Sequence, residues 1–141
     1  MKLPESTCRS RFASARVARL ATVSADGQPH LVPVTFAVAG DEVFIAIDHK
    51  PKTTTNLRRL RNITANPSVT LLVDEYDDVD WSQLWWVRAD GVARVLDTPP
   101  PEVELLITKY PQYAANPPRG PVIAVRVDRW SGWAFEADLH H

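Results

Sequence analysis

Ala18-Arg19-Leu20-Ala21-Thr22-Val23-Ser24-Ala25-Asp26-Gly27-Gln28-Pro29-His30-Leu31-Val32-Pro33-Val34-Thr35-Phe36-Ala37-Val38 decides the fold. Two β-type runs, Ala18 to Ser24 and His30 to Val38, flank Asp26-Gly27, the strongest short hairpin signal. Pro33 has no N–H to give to a ladder, which predicts an edge or a bulge in the second run. Gly40-Asp41 marks another turn, and Glu42 to Asp48 reads as a third strand. Three strands joined by two tight turns predict an antiparallel meander.

Working outward, Glu5 to Val17 reads as a short helix capped by Ser6 or Thr7. Lys52 to Ala65 reads as a second helix. Pro51 precedes it, and Leu57, Leu60, Ile63 and Thr64 form its burying face. Asn66-Pro67 ends that helix. Val69 to Val73 is a fourth strand, Asp74 to Asp80 an acidic connection, and Leu84 to Val95 a long fifth strand bulged near Gly91. Glu102 to Tyr110 reads as a helix and Pro111 to Pro121 as proline-rich loop. Val122 to Val127 and Trp133 to Phe135 supply the last strand material. Hairpins dominate over βαβ crossovers. The expected architecture is therefore mainly β: a six-stranded antiparallel barrel, closed or nearly so, with helices plugging its gaps.

The chain has 141 residues, 45% hydrophobic and 23% charged, with a formal net charge of -1. One domain spanning 1–141 is expected, with 139–141 read as a tail and His140 and His141 given no function. Cys8 is the only cysteine, which excludes an intramolecular disulfide and fits a cytoplasmic, reducing compartment. The polar N-terminus lacks the apolar core of a signal peptide, and no run approaches membrane-spanning length. Neither a membrane nor a nucleic-acid partner is expected, since a nucleic-acid binder is more often basic overall.

Charge is unevenly placed. From His49 to Val73 there is no acidic residue, and five of the sixteen Lys and Arg fall within Lys50 to Arg61. A helix N-terminus presents free N–H groups and the positive end of the macrodipole. Cations there oppose the dipole, so Lys50 and Lys52, with Thr53, Thr54 and Asn56 as short donors, point to an anion such as a phosphate. A solvated basic face is the competing reading.

Trp81, Trp85 and Trp86 crowd one stretch. Core packing is the common role of a single tryptophan, but adjacent strand residues face opposite ways, so Trp85 and Trp86 are harder to bury together in a monomer this small, which points to a dimer. The acids from Asp74 to Asp80 lack the glycine and distal glutamate of a calcium loop. There is no Gly-x-Gly-x-x-Gly after a strand, no Walker motif and no Gly-x-Ser-x-Gly. His30 and His49 have no second ligand at metal spacing and no context for haem, so no metal site is expected. Few acid–base residues remain, which suits an enzyme whose cofactor carries the chemistry.

Arg19 to Val23, Asp26 to Val34, Asn56-Leu57-Arg58-Arg59 and Asn66 to Asp74 resemble, in order and spacing, the pyridoxamine 5'-phosphate oxidase-like family. Lys50-Pro51-Lys52-Thr53, Asp80-Trp81-Ser82 and Leu84 to Arg88 look like its branch of enzymes dependent on the deazaflavin coenzyme F420. The resemblance implies an FMN-binding-protein-like split β-barrel and a homodimer with two cofactor sites between its subunits. It places the cofactor ring along Pro33, Val34, Thr35, Ile47 and Asp48. The phosphate falls by Lys50, Lys52, Thr53 and Asn56, and Trp81 meets the cofactor. Arg58, Arg59 and Arg61 receive no assigned role. The implied activity is hydride transfer between F420 and a small unsaturated or heteroaromatic molecule, with no proton donor or other catalytic residue named. The alternatives are an FMN-dependent oxidase or reductase and a non-catalytic flavin-binding protein. Arg119, Arg126 and Arg129 do not reproduce the substrate-phosphate cluster of true pyridoxamine-phosphate oxidases, which argues against that activity.

Overall fold

Gly27 and Gly40 both have positive φ (87° and 61°), a conformation that favours glycine, and each closes a hairpin. Residues 1–47 and 54–135 are described by the structure, a computed structural model; for 54–57 only the backbone is described. The first hairpin joins β1 (Ala18–Val23) to β2 (Pro29–Val34), and the second joins β3 (Ala37–Ala39) to β4 (Glu42–Ala46). Then follow α2 (Thr54–Ala65), β5 (Ser68–Glu75), a 3-10 turn (Trp81–Gln83), β6 (Trp85–Leu96), α3 (Val103–Lys109), α4 (Pro111–Ala115) and β7 (Val122–Ala134). Helix α1 (Glu5–Ser14) precedes them all.

The described strands form one antiparallel sheet of seven, in the order β2-β1-β5-β6-β7-β4-β3. The expected count of six and the expected meander are both corrected here. The run His30 to Val38 is two strands, broken at Thr35-Phe36, and its halves lie at opposite edges of the sheet. The cause is a side chain 74 residues away. The Tyr110 hydroxyl accepts from the Phe36 N–H at 3.2 Å, and its own proton lies between Arg16 O at 2.8 Å and Phe36 O at 3.1 Å. Phe36 thereby satisfies its backbone away from any ladder. Val34 and Ala37 are three Cα steps apart, so the two edges come within roughly 11 Å. The sheet curls round on itself but does not close. Pro33 occupies the edge strand β2, as its missing donor requires.

Strands β6 and β7 form the long spine, paired from Trp85↔Ala134 to Leu96↔Val122 with a register shift at Asp90/Gly91. A Cβ on Gly91 would lie 2.2 Å from Arg126 O, so only glycine fits the bulge. The last strand is continuous from Val122 to Ala134 rather than two pieces. Pro111 to Pro121, expected to be all loop, contains α4 with Pro111 in its first turn, where its missing N–H costs nothing. Pro4, not Ser6 or Thr7, is the N-cap of α1, which makes no side-chain cap.

Helix α1 plugs the curl. Phe12 packs on Phe36 (ring centroids 4.8 Å apart) and on Trp130 (5.2 Å), and Cys8 is fully buried beside Gly132. Helix α2 covers β1 and β6, burying Ile63 and Asn62. Among the described residues no helix is long and apolar enough to cross a membrane.

Candidate functional site

The break between β2 and β3 is where the sheet leaves polar groups unclaimed by a ladder. Alternation along β2 puts Val32 and Val34 against the core, while Leu31 and Pro33 face outward. Thr35 continues the outward row and is half-buried, and its hydroxyl lies 2.8 Å from the Tyr113 hydroxyl on α4. Tyr110 and Tyr113 meet edge to face, with centroids 5.7 Å apart. On the near side, Lys109 Nζ lies 3.9 Å from the centre of the Phe36 ring and donates to Ala13 O at 3.1 Å. Burial, with Arg16 beside it, brings the Lys109 ammonium down to about 8.

Of the residues expected to line a ring, Pro33 and Val34 end β2 and Thr35 lies just beyond it, in the break, instead of within one strand running on to Val38. Val34 and Ile47 share one core cluster at 6% and 5% exposure, so a ligand would meet them through their backbone. Ile47 N–H donates to Pro121 O at 3.1 Å, which ties the end of β4 to the chain entering β7. Asp48, Lys50, Lys52 and Thr53 lie outside the described residues, as does the side chain of Asn56.

The described part of α2 carries the positive charge onward. Arg58 is exposed and Arg59 is half-buried, its guanidinium held below its ordinary basicity by burial. His30, on the inward face of β2, is disfavoured as a cation first by burial and then by Arg58 and Arg59, and its Nδ1 is buried with no hydrogen-bond partner among the described residues. Among the described residues a nearby acid is Asp26, whose carboxyl is held below its usual range chiefly by the Ser24 hydroxyl, with a minor contribution from Arg58. Arg58 and Arg59 thus lie close enough to His30 to help keep it neutral, and among the described residues Asp26 is a carboxylate that feels Arg58.

Trp81 is half-exposed in the 3-10 turn and packs edge to face on Phe135 at 6.2 Å. The turn is held by Asp80, which accepts from Ser82 N at 3.0 Å, so these acids bond their own loop. The strand that follows Trp81 lies three strands from β2, roughly 14 Å across the sheet at ordinary strand spacing. Trp85 packs on the core and under Arg11 (5.2 Å), whereas Trp86 faces outward beside Arg88 (5.6 Å). Tyr110, Tyr113 and Lys109 were not anticipated at the break. The signal for them was Tyr110-Pro111-Gln112-Tyr113, where a proline starts a helix that puts the second tyrosine on the turn after the first.

The profile of the family described as pyridoxamine 5'-phosphate oxidase matches residues 5–134. The chain belongs to this family. A curated relative, the 5a,11a-dehydrotetracycline/5a,11a-dehydrooxytetracycline reductase of Streptomyces rimosus, is 36% identical over 80 residues, 57% of this chain. That stretch is 55% of the reductase, so the match spans about half of its length. Among solved structures, the FAD binding protein of Mycobacterium smegmatis superposes with a TM-score of 0.63 at 20% identity, covering 96% of this chain and 98% of that one. The heme storage protein HutZ of Vibrio cholerae superposes with a TM-score of 0.69 at 18% identity, covering 99% and 100%. At such identities the superpositions establish the family's fold for this chain.

Proposed function

We propose that the protein is a cytoplasmic oxidoreductase that binds a flavin-type cofactor, F420 in the first instance, and transfers a hydride between it and a small unsaturated or heteroaromatic molecule. The observation that carries this reading is that the helix following Lys50-Pro51-Lys52-Thr53 continues the basic run, with Arg58 exposed on it and Arg58 and Arg59 near His30. An elongated anion running from the start of α2 would meet the exposed Arg58 along that helix. Family membership and the likeness to a reductase support the same chemistry.

In this reading Lys50, Lys52, Thr53 and Asn56 hold the phosphate, and the backbone of Pro33, Val34, Thr35, Ile47 and Asp48 lies along the ring. Trp81 is far along the sheet from β2, so the partner's Trp81 completes the site in a homodimer. The bound cofactor supplies the hydride. The protein positions the ring and excludes water with the apolar row Leu31 and Pro33. The second reading is the same site with a flavin such as FMN; the Mycobacterium smegmatis neighbour is described as binding another flavin, FAD.

Parallel fluorescence titrations with F420 and FMN test both readings. Tighter F420 binding is expected, and equal or tighter FMN binding moves the assignment to a flavin enzyme. Lys52→Ala should weaken binding tenfold to about a hundredfold, the worth of a charge-assisted hydrogen bond of about 1.5–3 kcal/mol. Arg94→Ala is the control, since Arg94 pairs with Glu42 at 3.1 Å on the β6–β4 side. Binding without turnover on a broad panel of acceptors would make the protein a carrier instead of an enzyme.

A further inference from the structure

Two tyrosines three residues apart meet the same break in the sheet, and their hydroxyls are used differently. Tyr110 accepts from Phe36 N–H and directs its proton at Arg16 O and Phe36 O, so its capacity is taken up by the backbone it organises. The Tyr113 hydroxyl meets Thr35 Oγ1 at 2.8 Å and, among the described residues, no other polar atom. Two hydroxyls carry two protons, and the bond between them uses one. The Thr35–Tyr113 pair therefore keeps one O–H donor to offer outward, together with unused lone pairs.

Position gives that donor a direction. Thr35 is the first residue beyond β2, two positions after the outward-facing Pro33, at the point where the ladder stops. Anchoring α4 does not require the pair. Tyr110 already ties the start of α4 to the sheet, and the two rings pack at 5.7 Å whether or not Tyr113 has a hydroxyl. A half-buried donor with a spare proton beside an apolar row matches a planar ligand that has a carbonyl oxygen on its edge.

We infer that the Thr35–Tyr113 hydroxyl pair binds a carbonyl oxygen on the pyrimidine edge of the flavin-type ring, with Tyr113 fixing the ring's in-plane position. The inference rests on the proposed cofactor reading and adds to it a residue from α4. Thr35 holds the phenol at the right angle, and the spare proton goes to the ring oxygen.

The test uses the full chain with FMN and F420 as probes. It reads the dissociation constant and the position of the bound cofactor's visible absorption band. Tyr113→Phe and Thr35→Val should each weaken binding about threefold to tenfold, the worth of one neutral hydrogen bond. Both should move the bound band toward that of the free cofactor. Thr35→Ser should keep the parent's affinity and band. Thermal melts should show Tyr113→Phe folded like the parent. If Tyr113→Phe binds both probes with the parent's affinity and band, the inference fails while the cofactor reading stands. If the parent binds neither probe, both fall.

Discussion

The Asn62 side-chain amide donates to the Thr22 hydroxyl at 3.1 Å, across the contact between α2 and β1. These two are the buried polar side chains among the described residues, at 5% and 0% exposure, and each satisfies the other. Removing one partner strands the other in the core, a cost of about 1–3 kcal/mol. Thr22→Val and Asn62→Leu should each lower stability by that amount in urea unfolding. The double variant should lose less than the sum, because no orphan remains. Strict additivity would show that the bond does not couple α2 to the sheet.

Tyr110→Phe should separate the two tyrosines. It removes the group that satisfies Phe36 and Arg16 backbone atoms, so a loss of about 1–3 kcal/mol is expected. Tyr113→Phe should lose less than half of that. Chemical denaturation of both variants checks the ranking, and equal losses would return Tyr113 to a purely structural role.

Lys109 sets an alkaline dependence. Its ammonium is brought from 10.5 to about 8, first by burial and then by Arg16. Between those values the unfolded chain binds the proton that the folded chain has released, so stability rises with pH through this window. Below pH 8 both states hold the proton and the burial penalty is fully felt. The melting temperature of the parent relative to Lys109→Met should therefore climb from pH 8 to about pH 9.5. Comparing the two proteins cancels the opposing trend from Cys8, whose thiol is pushed up by burial. A flat difference would show that the amine keeps its proton through contact with the Phe36 ring and Ala13 O.

Local rules made the hairpins and the bulge legible. Asp26-Gly27 and Gly40 mark turns that need positive φ, and Gly91 marks a bulge with no room for a Cβ. The break at Thr35-Phe36 was not legible, because His30 to Val38 has unbroken strand character. The break comes from a hydroxyl 74 positions away. Helix α4 was hidden by its prolines, although Pro111 is where a helix tolerates one. The last strand read as two pieces because Asp128, Arg129, Ser131 and Gly132 resemble a turn, whereas pairing with β6 carries it straight through. The basic run from Lys50 to Arg61 was visible as charge alone. The nearness of Arg58 and Arg59 to His30 was not, because it depended on which face of β2 turned inward.

The outward face of β2-β1-β5-β6 should be the dimer surface of the proposed homodimer. Its rows read Leu31, Ala21, Thr70 and Asp90, then Pro33, Arg19, Leu72 and Arg88, with Trp86 opposite Asp74 beyond them. Leu31 is 66% and Leu72 36% exposed in the single chain, a placement that costs burial energy unless another surface covers them. Sedimentation of the parent should give twice the chain mass. Leu72→Asp, which leaves the Leu31–Pro33 row beside the ring untouched, should give a folded monomer, since this side chain is not part of the core. That monomer should also lose cofactor affinity, because the partner's Trp81 would no longer reach the site. A parent that sediments as a monomer at micromolar concentration would remove the dimer and Trp81's role together. A monomeric variant that keeps full affinity would place the whole cofactor site within one chain.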